Sequence, residues 1–208
     1  MDTPRRLREA GALRGQARRA GVLLHGRGHT PDEKVDLAAR LGALDGMRWV
    51  APGADLGSWY PHRFWDPVST NEPFLSDAIA RCEEAVTEAS EQGRLDPRQL
   101  AVIGFSQGAC IALEYALRHP GRVGTLIVFT GGLMGPPGAK RAAGSLAGLR
   151  VLLTGSDADE WIPEASTRET AEVLRRLGAH LTLRVYHGRA HIVSDEELAE
   201  ARAILEHL

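Results

Sequence analysis

Short apolar runs alternate along this chain with longer stretches of helical period. The runs Gly21 to Leu24, Met47 to Val50, Leu100 to Ile103, Val123 to Phe129, Arg150 to Thr154 and Leu181 to Tyr186 predict strands. Several are unbroken apolar segments, as strands covered on both faces must be. Helical spacing predicts helices over Pro31 to Leu44, Asn71 to Gln92, Gln107 to Arg118, Pro163 to Leu177 and Ser194 to Glu206. Their ends carry matching chemistry. Thr30-Pro31-Asp32-Glu33 supplies a cap, a first-turn proline and two acids, Ser194-Asp195-Glu196-Glu197 is a capping box, and Gly178 after Arg175-Arg176-Leu177 is a stop signal. The alternation predicts an α/β fold with a mainly parallel central sheet and helices on both faces. Two stretches read as long loops: Ala51 to Thr70, rich in Pro, Trp and Tyr, and Gly131 to Gly148, rich in Gly and Pro. In a compact domain such loops are more often functional than idle.

Composition changes this picture little. A chain of 208 residues, 43% apolar, suits one core and one domain. A formal net charge of -2 with interspersed Arg and Asp/Glu argues against nucleic acid as a partner. Cys82 and Cys110 each fall inside a helical pattern, so no disulfide framework is expected, and a reducing cytoplasm fits best. Met1 to Ala20 is rich in arginine, including Arg5-Arg6, but lacks the apolar segment and cleavage site of an export signal. We assign residues 1–20 no function and take the domain to span 21–208. The longest apolar runs are strand-sized, so no stable membrane insertion is expected. A homodimer is left open.

The chemistry begins at Gly104-Phe105-Ser106-Gln107-Gly108, a G-x-S-x-G segment lying directly between a predicted strand and a predicted helix. A strand turning sharply into a helix exposes the serine hydroxyl at the helix N-terminus. The flanking glycines are needed because a Cβ there would strike the neighbouring backbone. The Gln107 N–H and the helix dipole can then stabilise an anion forming on a substrate carbonyl. Ser106 is therefore the candidate nucleophile. Cys110, one turn on, reads as a small buried hydrophobe.

A serine needs a histidine to take its proton, and the histidine needs an acid. Asp157 and Asp159 follow the strand ending at Thr154, and His187 and His191 follow the strand ending at Tyr186. Asp159 is preferred because it lies deeper in its loop, and His191 because small or apolar Ala190 and Ile192 flank it in a Gly188-Arg189-Ala190-His191 turn. Leu24-His25-Gly26-Arg27-Gly28 places a Gly-rich turn beside the elbow, where the Arg27 N–H is the candidate second oxyanion donor. His25 and His29 lack the Cys or carboxylate company of a metal site, so no metal is expected, and His25 reads as a brace for the loop. Trp59, Tyr60 and Phe64, with Trp65 beside them, form either a pocket wall or an aromatic plug; Trp161 and Leu133-Met134 are candidates for the same cleft.

Together these segments resemble the phospholipase/carboxylesterase family of α/β-hydrolases, which includes acyl-protein thioesterases and small bacterial carboxylesterases. The resemblance rests on Leu24 to Gly28, Gly104 to Ala109, Asp157 to Pro163 and Tyr186 to His191, in the family's order. Ser58-Trp59-Tyr60-Pro61, Phe64 and Asn71-Glu72-Pro73 resemble a bacterial subgroup described mostly as predicted esterases. The resemblance implies a single-domain α/β-hydrolase fold without a large cap domain, a triad of Ser106, Asp159 and His191, and an oxyanion hole from the Arg27 and Gln107 amides. It also implies a small-molecule ester as substrate and no cofactor. The chain departs from the family at Glu160, where a proline is common. Acyl thioesterase, lysophospholipase and lactone or amide hydrolase activities share the same triad chemistry and stand as alternatives. A non-catalytic binding protein on this fold is disfavoured by the complete residue set.

Overall fold

Every apolar run predicted as a strand forms one, and most extend a residue or two beyond the predicted ends. A computed structural model of the chain describes residues 7–42, 44–139 and 144–208; the Arg5-Arg6 pair, Ala43 and residues 140–143 of the second long loop lie outside the described residues. The elements are β1 (Leu7–Gly11), β2 (Arg19–Leu24), α1 (Pro31–Arg40), β3 (Met47–Pro52), α2 (Phe74–Ala89), β4 (Leu100–Phe105), α3 (Gln107–Arg118), β5 (Thr125–Phe129), β6 (Arg150–Ser156), α4 (Glu164–Arg176), β7 (His180–Tyr186) and α5 (Asp195–Leu205).

The strands form one sheet in the order β1-β3-β2-β4-β5-β6-β7. All pairings are parallel except β1 with β3. No strand is predicted for residues 7–11. Leu-Arg-Glu-Ala-Gly has no apolar run because β1 is an edge strand, half exposed, and needs none. Alternate residues of the inner strands face opposite sides, as the period-2 pleat requires. Leu100 and Val102 of β4 face α2 and α3, while Ala101, Ile103 and Phe105 face the layer of α1 and α5. The first layer packs Leu75, Ile79, Ile111, Tyr115 and Leu174 on the sheet, and the second packs Leu37, Leu41, Leu198 and Leu205.

Two helices are shorter than their periodicity suggests. α1 stops at Arg40, before Gly42 at φ +85°, a conformation that favours glycine. α2 begins at Phe74 because Asn71, fully buried, braces the preceding loop instead: its Oδ1 accepts from the His62 amide at 2.9 Å and its Nδ2 donates to the Arg63 carbonyl at 3.2 Å. The Thr30 cap and the Ser194/Glu197 capping box form as expected. Among the described residues, no helix is long and apolar enough to cross a membrane. β4 lies between β2 and β5, with Gly104 opposite Leu24 and Phe105 opposite Phe129. The loops leaving these strands therefore emerge along one rim, the usual place for chemistry in an open parallel sheet.

Candidate active site

At that rim Ser106 adopts φ 55° and ψ -119°, a backbone conformation that costs a non-glycine residue of order 1–3 kcal/mol. Its amide donates to the Phe129 carbonyl at 3.0 Å, which ties the turn to β5. Glycines on either side make the turn possible. A Cβ on Gly104 would lie 2.4 Å from the Gly108 carbonyl oxygen, and one on Gly108 would lie 2.4 Å from the Leu24 carbonyl oxygen. The side chain of Ser106 thus stands clear of the sheet at the start of α3.

The Ser106 Oγ lies 2.8 Å from His191 Nε2, and His191 Nδ1 lies 2.8 and 2.9 Å from the two Asp159 carboxylate oxygens. A carboxylate can only accept, so Nδ1 carries the proton and Nε2 accepts from the serine hydroxyl. Asp159 is itself held on both oxygens. Oδ1 accepts from the amides of Trp161 and Ile162, each at 2.8 Å, and Oδ2 accepts from the Thr130 hydroxyl at 2.6 Å. Burial pushes its pKa up, but the hydrogen bonds from His191, Thr130, Ile162 and Trp161 outweigh this and hold the carboxyl well below the usual range. Asp157 and His187 pair with each other at 2.5 Å at the surface, with the His187 side chain 98% exposed, away from Ser106. Thr130, which escaped the sequence reading, sits at φ 52° directly after β5. Its one advance signal is its place between a strand end and Gly131-Gly132.

The Arg27 and Gln107 amides have no acceptor among the described residues. Gly26 brings the Arg27 turn against the elbow: a Cβ on it would lie 3.4 Å from the Ser106 Cβ. The side chains of the same two residues grip the loop opposite. Arg27 donates to the carbonyls of Tyr60, Pro61 and His62, and Gln107 donates to the Tyr60 carbonyl at 2.7 Å while accepting from the Trp59 amide at 2.9 Å. Above Ser106 opens a cleft of about 870 Å³ whose lining includes Tyr60, Phe64, Trp65, Phe105, Glu160 and Trp161. Of the sequence-predicted pocket residues, Tyr60, Phe64 and Trp161 reach it. Trp59 does not. It is buried behind the wall, where its Nε1 donates to the His25 carbonyl at 2.8 Å. Leu133 and Met134 are also buried and lie outside the cleft lining. The aromatic stretch is therefore wall and plug at once.

His25 accepts from the Ala54 amide through Nε2 at 3.0 Å and donates through Nδ1 to the Gly26 carbonyl at 2.7 Å, so both nitrogens brace the loop. Burial lowers its pKa, consistent with a neutral ring. His29 instead pairs with Glu33. Among the described residues, no three His, Cys, Asp or Glu side chains gather where they could hold a metal ion. Burial pushes the Cys110 thiol up to about 11, which leaves it protonated beneath the cleft.

Phe105 packs on His191 with ring centroids 5.1 Å apart, and the Lys34 Nζ lies 5.1 Å from the Phe105 ring centroid. Burial pushes the Lys34 pKa down to about 8. The unfolded chain keeps that proton up to the ordinary value of 10.5, so between about 8 and 10.5 it binds more protons than the folded one, and this group's contribution to stability rises with pH. Lys34→Met should remove that rise, worth up to about 3 kcal/mol. Denaturant titrations of both proteins at neutral pH and near pH 10 measure it; an unchanged difference between the proteins at the two pH values would contradict the assignment.

A family model described as phospholipase/carboxylesterase matches residues 12–208. Among solved structures, a phospholipase/carboxylesterase from Dyadobacter fermentans is 35% identical, covers 97% of this chain and 96% of its own, and superposes with a TM-score of 0.89. Acyl-protein thioesterase 1 of Saccharomyces cerevisiae is 26% identical over 133 residues, 55% of this chain and 58% of that protein. A probable carboxylesterase of Oryza sativa subsp. japonica is 26% identical over 151 residues, 70% and 56% respectively. The chain thus spans little more than half the length of the curated relatives it matches.

Proposed function

Because this chain belongs to the phospholipase/carboxylesterase family, we propose that it is a serine carboxylic-ester hydrolase that works through an acyl-enzyme on Ser106. The observation that carries this reading is the unbroken hydrogen-bonded path from the Ser106 hydroxyl through His191 to the buried carboxylate of Asp159 at the floor of a cleft. In the proposed reaction the Ser106 oxygen attacks the ester carbonyl as its proton passes to His191 Nε2. Asp159 steadies the imidazolium through Nδ1. The oxyanion that forms is met in this reading by the Arg27 and Gln107 amides, which have no acceptor among the described residues. His191 then returns the proton to the departing alcohol. Water, activated by the same histidine, releases the acid, and no cofactor enters the cycle.

The cleft walls, aromatic on several sides and uncovered by a cap domain among the described residues, suit small and medium acyl esters, and we assign the protein to the cytoplasm. Short-chain p-nitrophenyl esters are the expected substrates. Thioester, lysophospholipid, lactone and amide panels separate this reading from its neighbours, since all would share the acyl-serine.

A fluorophosphonate probe tests the mechanism directly. The folded protein should acquire one covalent adduct, located by peptide mass spectrometry on Ser106 and prevented by prior incubation with a slowly turned-over ester. Folded protein that acquires no adduct would sink the reading.

A further inference from the structure

Beneath the His191 loop lies an ion pair that the proposed reaction does not use. The Glu197 side chain is fully buried and that of Arg189 is 8% exposed, with Nη1 3.0 Å from Oε2. The same Glu197 oxygen accepts from the Ser194 amide at 2.8 Å, and Oε1 accepts from the Thr154 hydroxyl. A helix cap alone explains the Ser194 contacts but not the guanidinium. Arg189 continues in two directions from the pair. Its Nη1 donates to the carbonyl of Ile192, one residue past His191, and its Nη2 donates to the Thr130 hydroxyl oxygen at 3.4 Å. Thr130 in turn donates a hydrogen bond to Asp159 Oδ2 at 2.6 Å. The main chain is held too, since the Arg189 carbonyl accepts from the Ser156 hydroxyl at 2.6 Å.

A buried ion pair is not by itself a source of stability, because apolar side chains of similar volume usually serve the fold as well or better. This one carries a visible cost: Arg189 Nε is buried without a partner. What the pair does supply is geometry. It grips residues 189 and 192 on either side of His191, and through Thr130 it orients the carboxylate that His191 addresses. With the guanidinium donating to the Thr130 oxygen, the threonine proton is turned toward Asp159.

We propose that Arg189 and Glu197 are positioning residues of the hydrolase, a buried pair that sets the reach of His191 toward Ser106 and, by way of Thr130, the aim of Asp159. The proposal rests on the acyl-enzyme reading above. Its test combines Glu197→Gln, Arg189→Met and the double variant Arg189→Met/Glu197→Leu, in which no unpaired charge remains. Each single variant should lower kcat on p-nitrophenyl acetate by about 10- to 100-fold, with KM unchanged within about twofold. The double variant should stay folded, unfolding a few degrees below the wild type because Glu197→Leu also removes the α5 cap, and still be slow. Were the pair merely structural, the double variant would regain wild-type kcat, and that result overturns the proposal.

A second readout needs no turnover. In the Ser106→Ala background, the deshielded His191 Nδ1 proton in the NMR spectrum should be lost or exchange-broadened when the double substitution is added. An unchanged resonance overturns the proposal. If the wild type itself neither turns over esters nor accepts the fluorophosphonate, the acyl-enzyme reading fails, while this resonance still reports on the positioning of the histidine.

Discussion

Ser106→Ala should lower kcat for p-nitrophenyl ester hydrolysis by about 10⁶-fold with KM changed little, the size of loss seen when a serine hydrolase loses its nucleophile. The loss should be this large because nothing nearby can substitute. The Cys110 thiol, one turn along α3, is fully buried and holds its proton up to about 11. His29 is committed to Glu33, and His187 to Asp157 at the surface. The fold should survive the change. The Ser106 amide keeps its bond to the Phe129 carbonyl, and alanine occupies the same strained backbone as serine at no greater steric cost. A pre-steady-state burst of p-nitrophenol in the wild type, absent from the variant at equal folded concentration, would distinguish loss of the acyl-enzyme from loss of structure. A variant retaining more than a small fraction of wild-type turnover would remove Ser106 from the reaction.

That Ser106 could be chosen from sequence reflects how little freedom an elbow has. The strand must be apolar on both faces, the turn must put a side chain at positive φ, and the glycines must stand where Gly104 and Gly108 meet backbone at 2.4 Å. Each requirement leaves a mark in residue type. The same logic made the inner parallel strands legible and left β1 hidden, since an exposed edge strand imposes no apolar run. The pocket was legible only in part. Trp59 and Tyr60 are equally buried and adjacent, yet Tyr60 lines the cleft while Trp59 is turned to the His25 carbonyl. Composition cannot tell two sides of one aromatic cluster apart. Glu197 was legible as a capping-box acid, and it is one. Its second partner, Arg189, lies eight residues earlier across a loop, where no periodic spacing links them.

The candidate acid and base posed a sharper problem, because two aspartates follow β6 and two histidines follow the neighbouring β7. Ser156 pairs with Tyr186, so the register carries Asp157 to His187, while the loops beyond the strand ends bring Asp159 to His191, and each couple is hydrogen-bonded. A hydrogen-bonded acid and histidine therefore stand at both places. What separates them is surroundings. The Asp159 side chain is fully buried and takes four donors, from His191, Thr130, Trp161 and Ile162, whereas the Asp157 carboxylate is a third exposed, at 34%, and its His187 partner is in water.

Asp159→Asn should accordingly cut kcat by about 10⁴-fold, and Asp157→Asn should change it by no more than about twofold. An asparagine at 159 offers one oxygen and one NH2 where the site supplies donors to both positions. If the oxygen stays with the Trp161 and Ile162 amides, the NH2 meets the Thr130 hydroxyl, which can rotate to accept. It also meets His191 Nδ1, which cannot donate to it. The imidazole then relieves the conflict by moving its proton to Nε2, and in that tautomer it no longer accepts from Ser106. The nucleophile is left in place without a base, so the defect should fall on kcat rather than KM. At 157 the same substitution weakens a solvent-exposed contact to His187, and exposed charged pairs contribute little. Steady-state kinetics of the two variants on one ester decide the matter, and a larger loss in Asp157→Asn than in Asp159→Asn would move the acid to the outer pair.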